Sequence, residues 1–222
     1  MDISRPWVGR YYKIARLFAV GENMNEDDGY EEIQCLALVA REGILRGEKK
    51  NFISRGYGGA VLYVRLTAYA TAVLEHSRCM QPVWEEDGFP CKEDMANAFD
   101  YLAYTNQVKC SPAGDNSKPT DQMWKNCGRH ALVHEIEILQ PRTVLILGSD
   151  SNASSFKENV LDTRYCNWAV SSPFERGEAT IGGLKFEVYV VPHPNRWGFS
   201  PADVFRRFRN YLQSSPASNS IA

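Results

Sequence analysis

Four short apolar runs constrain most strongly how this chain can fold. They are ARLFAVG at 15–21, FDYLAYTN at 99–106, RTVLILG at 142–148 and FEVYVVP at 186–192. Runs of this length without regular polar alternation are typical of strands buried on both faces of a parallel sheet. Helical patterns at 59–76 and at about 121–139 separate three of the runs. The sequence therefore predicts an α/β fold, a three-layer α/β/α sandwich around a central, mainly parallel four-stranded sheet.

The remaining segments are expected to surround this sheet. The pattern after Pro201 predicts a last helix with an apolar stripe, whereas the irregular stretch 80–97 favours an inserted loop. We expect a single domain over residues 1–213, because 222 residues with 44% hydrophobic content suffice for one well-buried core. The small polar residues at 214–222 predict a disordered tail.

Charge and cysteine content narrow the class of protein. The net charge of −2 gives no overall attraction to polyanions, although arginines concentrate near the end of the chain. Six cysteines are too few for a disulfide scaffold, and no apolar run approaches the roughly 18 residues of a membrane span. The opening MDISRPWVGRYYK has no apolar segment of a secretory signal. We therefore expect a reduced, cytoplasmic, monomeric protein without a membrane partner.

Polar residues follow the end of every predicted strand. The four segments are GENMNEDDG, NQVKCSP, GSDSNAS and PHPNRWG. Ligands bind at the carboxyl ends of strands in open α/β sheets, so Glu22, Asn106 and His193 are candidates for one shared site. Each also has a structural alternative. Glu22 fits a solvated acidic loop, Asn106 a turn after its strand, and His193 a turn between two prolines.

Taken together, these segments resemble the uracil-DNA glycosylase superfamily, most closely its bacterial and archaeal family 4 branch. GENMN at 21–25 is similar to the family motif Gly-Glu-Ala-Pro-Gly, and TNQVKC at 105–110 to its Asn and Lys-Cys segment. PHPN at 192–195 is similar to its His-Pro-Ser motif. Two cysteines around a proline-containing loop, before a helix that ends in EIEILQP, add a further match. The resemblance covers about residues 12–210.

The resemblance implies an enzyme that hydrolyses the bond between a pyrimidine and deoxyribose in DNA and leaves an abasic site. Glu22 would orient or deprotonate a water, and His193 would hydrogen-bond the pyrimidine O2 as negative charge builds there. Asn106 would bind the Watson–Crick edge of a flipped-out base. Further contacts with DNA are expected from Gly58, Gly59, Lys109, Asn195, Arg196 and Trp197.

Trp197 is the candidate for a wedge that holds the flipped base out of the duplex, with Arg196 beside it for a phosphate. A non-catalytic nucleic-acid-binding module of the same fold is the alternative function. A nucleotide-binding domain is disfavoured, because neither G-x-G-x-x-G nor a P-loop follows any predicted strand.

The cysteines raise the question of a cofactor. Family 4 members hold a four-iron four-sulfur cluster, and the resemblance matches two of its ligands to Cys110 and Cys127. Its N-terminal cysteine pair has no counterpart, since Cys35 is the first cysteine here. Cys79 and Cys91 are then the candidates that would complete four ligands. The alternative is that these are buried thiols and that no cofactor is required.

The target base is left open by the sequence. The first motif departs from the family at Met24 and Asn25, where Pro and Gly form a tight turn over the base. A different turn need not exclude a C5 substituent, so hydroxymethylated or glucosylated cytosines of phage DNA are candidates beside uracil. Such a substrate would make the protein an antiviral enzyme. Asn106 does not decide the matter, because an amide offers both a donor and an acceptor.

Overall fold

A computed structural model of the chain describes residues 6–22, 38, 41–46, 60–109, 119–148, 151–161, 167–194 and 201–214. Seven strands in these ranges share one sheet, in the order β1-β3-β2-β4-β7-β6-β5. The strands are β1 (Trp7–Val8), β2 (Leu17–Gly21), β3 (Leu102–Asn106), β4 (Thr143–Leu147), β5 (Asn167–Ser171), β6 (Phe174–Ile181) and β7 (Leu184–Val191).

The helices confirm the three helical regions predicted from sequence. They are α1 (Tyr12–Ala15), α2 (Ala60–His76), α3 (Lys92–Tyr101), α4 (Asp121–Asn126), α5 (Val133–Leu139), α6 (Ser151–Asn159) and α7 (Pro201–Ser214). A π-helical segment, Cys127–Leu132, joins α4 to α5. The Thr120 hydroxyl accepts a hydrogen bond from the Met123 amide and so caps the start of α4.

The chain divides into two compact units, each made of three segments. We call the first the sheet unit (Met1–Trp7, Phe18–Ile33, Tyr104–His193) and the second the helical unit (Val8–Leu17, Gln34–Ala103, Pro194–Ala222). The single domain over residues 1–213 stays a prediction. Ser214 ends α7, and the rest of the predicted tail lies outside the described residues. None of the described helices has both the length and the apolar character of a membrane span.

The core of the sheet unit lies along β4 and β7. These strands pair in parallel, with Leu147 opposite Val191. Their central residues, 144–147 and 188–191, are fully buried, which explains why both strands lack polar alternation. β6 pairs antiparallel with β7 on one side and with β5 on the other. Gly182 and Gly183, both at positive φ, form the tight turn between β6 and β7.

Seven mixed strands replace the predicted four-stranded, mainly parallel sheet. The prediction was wrong because it used continuous apolar runs as its signal, and β5 and β6 carry polar side chains on partly exposed faces. The predicted strand at 99–106 also begins too early, since 99–101 form the end of α3. Acidic residues in the first turn of α3 and buried Met95, Ala96 and Phe99 at helical spacing favour a helix there.

The helical unit is built around the packing of α7 on α2. The apolar stripe of α7 contains Phe205 and Phe208, whose ring centroids lie 4.7 and 5.4 Å from that of Tyr69, edge to face. Arg209 donates to both carboxylate oxygens of Glu75 at 2.6 Å, and its guanidinium lies over the Trp84 ring. One of the arginines that concentrate near the chain end is thus part of an ion pair inside this unit.

Phe208→Ala is expected to lower the free energy of unfolding by about 3–5 kcal/mol, because it leaves a cavity beside the Tyr69 ring. Denaturant unfolding measured by circular dichroism tests this. Ile138→Ala is the control, since the Ile138 side chain is 68% exposed and its truncation should change stability by less than about 0.5 kcal/mol. Equal losses in the two variants would contradict the packing of Phe208 against Tyr69.

Candidate active site

The ends of β2 and β3 place Glu22 beside the segment that follows Asn106. The Gly21 carbonyl accepts from the Gln107 amide at 2.9 Å, and the Glu22 carbonyl accepts from the Val108 amide at 3.0 Å. Glu22 is partly exposed, whereas Asn106 is only 2% exposed. Two of the three predicted site residues therefore lie at neighbouring strand ends.

A hydroxyl group that the sequence interpretation missed contacts the Asn106 amide. The Tyr104 hydroxyl donates to Asn106 Oδ1 at 2.8 Å. The two side chains lie on the same face of β3, because alternate residues of a strand share a face. A Cβ built on Gly21 would lie 2.4 Å from the Tyr104 hydroxyl oxygen and 2.5 Å from Asn106 Oδ1, so only glycine fits at that position without displacing this pair. The spacing of two residues was the available signal for Tyr104.

Asn152, near the start of α6, connects the ends of β2 and β4. Its Nδ2 group donates to the Val20 carbonyl at 3.1 Å and to the Leu147 carbonyl at 3.0 Å. Its Oδ1 is buried and has no hydrogen-bond partner among the described residues. Sequence interpretation missed Asn152. Its place in a helix that follows directly on a buried strand was the only hint.

His193 lies at the same edge of the sheet unit, two residues after β7. The Gly148 amide donates to the Val191 carbonyl at 2.8 Å, which places the end of β4 beside the end of β7. A Cβ on Gly148 would lie 3.6 Å from Asn152 Cβ and 3.8 Å from His193 Cβ, so these two side chains flank one position. β3, β2, β4 and β7 are consecutive in the sheet. Glu22, Asn106 and His193 therefore lie along the edge that is formed by the carboxyl ends of these strands.

Burial sets the protonation state of His193. Removal from solvent lowers the pKa of its imidazole below the usual 6.5, because a charged ring loses hydration there. The imidazole is therefore neutral near pH 7. A neutral ring keeps one N–H and can donate a hydrogen bond from it.

Lys109 is held inside the sheet unit. Its side chain is 4% exposed, and its ammonium donates to Glu135 Oε2 at 2.6 Å and to the Thr105 hydroxyl. Burial lowers the pKa of Lys109, while the carboxylate of Glu135 opposes that effect. The predicted contact of Lys109 with DNA would require this ion pair to open.

The candidate cluster ligands do not form a metal site within the described residues. No three His, Cys, Asp or Glu side chains in those ranges stand close enough to share a metal ion. Cys127 accepts from the Lys109 amide at 3.5 Å, and Cys91 donates to an Asp94 oxygen at 3.0 Å. Burial raises the pKa of the Cys91 thiol. Cys110 lies outside the described residues, so the cluster stays a prediction.

The other predicted DNA contacts lie outside the described residues. They are Gly58, Gly59, Asn195, Arg196 and Trp197. Within the helical unit, Arg65 of α2 donates from Nη1 to the carbonyl of Pro194 at 2.5 Å. This bond anchors the backbone immediately after His193 in the sequence, and it was not predicted.

Glu135→Gln is expected to lower the free energy of unfolding by about 3 kcal/mol at pH 7, because it leaves the Lys109 ammonium buried without its counter-charge. The native pKa of Lys109 then falls further below the value of about 10.4 in the unfolded chain. Between these two values the unfolded state binds more protons, so stability rises with pH. Denaturant unfolding at several pH values should show the deficit shrinking toward about pH 10.

The control for this prediction is Glu137→Gln on the same helix. The Glu137 side chain is half exposed and pairs only loosely with His134, at 3.5 Å. Its loss should change stability by less than about 0.5 kcal/mol at any of these pH values. A deficit of Glu135→Gln that does not depend on pH would contradict a charged, buried Lys109.

Comparisons with known proteins place the chain in a family. The sequence model of the uracil DNA glycosylase superfamily matches residues 72–213, which is more than half of the chain. This stretch includes Asn106, Lys109 and His193, whereas Glu22 precedes it. No curated protein matches the chain significantly. The chain belongs to the uracil DNA glycosylase superfamily.

Proposed function

We propose that the protein is a monofunctional DNA glycosylase that hydrolyses the N-glycosidic bond of a flipped-out pyrimidine and leaves an abasic site. The observation that carries this proposal is the placement of Glu22, Asn106 and His193 along one edge of the sheet, in a chain of this superfamily. We further propose the family 4 branch, on the strength of the Asn-x-x-Lys-Cys segment at 106–110.

The chemistry of base release explains why these residue types are needed. Cleavage passes through an oxocarbenium-like sugar, so a carboxylate near C1′ stabilises positive charge and orients the attacking water. Glu22 is partly exposed at the end of β2, where water can reach it. The departing base carries negative charge on O2, and a hydrogen bond from neutral His193 would stabilise that charge.

Water, rather than a lysine amine, is the nucleophile in this proposal. Lys109 lies in the same motif as Asn106, but its ammonium is held by Glu135 and the Thr105 hydroxyl. An amine held in a buried ion pair is not free to attack C1′ and form a covalent intermediate. This arrangement supports a hydrolase without strand-cleaving activity.

DNA is the partner that this chemistry requires. The target base must leave the duplex before Asn106 can bind its edge, and the unstacked position must be filled. We propose Trp197 as the wedge, with Arg196, Asn195 and the Gly58-Gly59 backbone at phosphates.

The proposed target is a pyrimidine, either uracil or a cytosine enlarged at C5. The departures at Met24 and Asn25 from the family motif favour a pocket that tolerates a C5 group. A cytosine glucosylated or hydroxymethylated at C5 would indicate a role against phage DNA. The deciding measurement is kcat/KM for uracil and for C5-modified cytosine in one duplex sequence at one salt concentration.

The direct test of the function is release of free base from labelled duplexes. Alkali converts abasic sites to strand breaks, so breaks that appear only after alkali indicate a monofunctional glycosylase. Breaks before alkali would indicate a lyase. Binding without breaks on any duplex of the panel would favour the non-catalytic binding module.

Glu22→Gln is expected to reduce base release by at least about a hundredfold, because a positioned carboxylate contributes on that scale. DNA binding should stay within a few fold of wild type, as measured by fluorescence anisotropy. Glu178→Gln, an exposed carboxylate on β6, should leave the rate unchanged. Base release at the wild-type rate by Glu22→Gln would remove Glu22 from the mechanism.

The rate of base release is expected to hold as pH falls through 6.5, because burial lowers the pKa of His193 and keeps its ring neutral there. Below the lowered pKa the ring becomes charged and the rate should change. Single-turnover rates between pH 5 and 9 measure this. His193→Ala should lose about a hundredfold in rate at pH 7. A midpoint at or above 6.5 that disappears in His193→Ala would contradict the neutral ring.

A further inference from the structure

Strand β3 carries a buried pair of polar side chains, Tyr104 and Asn106. The Tyr104 hydroxyl donates to Asn106 Oδ1 at 2.8 Å, and Tyr104 is 3% exposed. A hydrogen bond shielded from water in this way is costly to lose, because a buried polar group that loses its partner keeps the full cost of its desolvation. The bond therefore restrains the amide of the residue that we place against the flipped base.

The surroundings of Asn106 Oδ1 favour an oxygen atom at that place. A Cβ on Gly21 would lie 2.4 Å from the Tyr104 hydroxyl oxygen and 2.5 Å from Asn106 Oδ1, so the Gly21 backbone packs closely against both members of the pair. The Tyr104 O–H uses one lone pair of Oδ1 and leaves the second for a ligand. An amide NH₂ in the same place would press its hydrogens against the Gly21 backbone and would require the phenol to accept instead of donate. Both changes disfavour the flipped amide.

The other end of the Asn106 amide is available to a ligand. Its Nδ2 group donates to no acceptor among the described residues. In a 4-oxo pyrimidine the edge presents N3–H as a donor and O4 as an acceptor. In a 4-amino pyrimidine N3 is the acceptor and the amino group the donor. An amide fixed in one orientation matches one of these two patterns and opposes the other.

We propose that Tyr104 is a positioning residue whose hydroxyl fixes the orientation of the Asn106 amide and so enforces discrimination between 4-oxo and 4-amino pyrimidines. The inference rests on the proposed function, since it requires Asn106 to face the target base. Without the hydroxyl, the amide turns over by rotation about its last side-chain bond and presents either pattern. The kcat/KM for the disfavoured class of base then rises by a larger factor than the kcat/KM for the favoured class falls.

The test uses pairs of duplexes that differ only in the groups at positions 3 and 4 of the target base. The pairs are uracil and cytosine, their 5-hydroxymethyl forms, and their glucosylated 5-hydroxymethyl forms. For each pair, the ratio of kcat/KM between the 4-oxo and the 4-amino member is measured at one salt concentration. In the wild type we expect a ratio far from one. In Tyr104→Phe the ratio should move at least tenfold toward one.

Two further variants separate positioning from general stability. Gly21→Ala places a methyl group 2.4 Å from the Tyr104 hydroxyl oxygen and 2.5 Å from Asn106 Oδ1, so it forces this pair to shift without removing either polar group. It should therefore also move the ratio toward one. Tyr189→Phe removes the hydroxyl of another buried tyrosine, in β7, and should leave the ratio unchanged. Thermal unfolding of each variant shows whether it is folded. A purely structural loss lowers the turnover of both bases together and leaves the ratio as it was.

The outcomes distinguish a failure of the role of Tyr104 from a failure of the proposed glycosylase function. An unchanged ratio in whichever of Tyr104→Phe and Gly21→Ala is folded overturns the role of Tyr104 and leaves the glycosylase activity standing. A ratio that moves toward one in these variants and stays unchanged in Tyr189→Phe establishes the positioning role of Tyr104. Failure of the wild type to release any of the six bases contradicts the proposed function, and the inference fails with it.

Discussion

The side-chain amide of Asn152 is the interaction on which the edge of the sheet depends. Its two N–H groups bind the carbonyls of Val20 and Leu147, one near the end of each of two neighbouring strands. The backbone of β2 leads from Val20 directly to Gly21 and Glu22, and β4 leads from Leu147 to Gly148 beside His193. One buried amide thus bridges the backbone segment that leads to the proposed carboxylate, Glu22, and the segment that lies beside the proposed imidazole, His193.

The sequence predicted the part of the fold that depends on continuous apolar runs. β2, β4 and β7 lie where those runs are, because strands buried on both faces have no polar side of their own. β5 and β6 were missed because partly exposed strands of a hairpin carry charged residues, and their signal is the Gly182-Gly183 turn. Tertiary pairing, rather than local composition, decides such strands.

The candidate site was predictable as a set of strand ends and not as a set of contacts. Glu22, Asn106 and His193 follow from the rule that polar residues after buried strands converge. That Lys109 is turned inward could not be predicted, because its partner Glu135 lies 26 residues away on a helix whose rotation the sequence does not specify. The hydrogen bond between Tyr104 and Asn106 likewise could not be predicted, because it depends on the separation of two side-chain atoms, which the sequence pattern does not specify.

The π-helical segment Cys127–Leu132 has a consequence for how this region tolerates insertions and deletions. The Val133 amide donates to the carbonyl of Gly128, five residues earlier, so the turn holds one residue more than an α-helical turn. A π turn accommodates one extra residue without rotating the helix that follows, because residues i and i−5 stack there much as residues i and i−4 do in an α-helix. Removal of a single residue from this segment would therefore restore a regular helix and leave the orientation of α5 nearly unchanged. Glu135 would keep its place beside Lys109, whereas removal of a residue from a regular turn would rotate the following helix by about 100°.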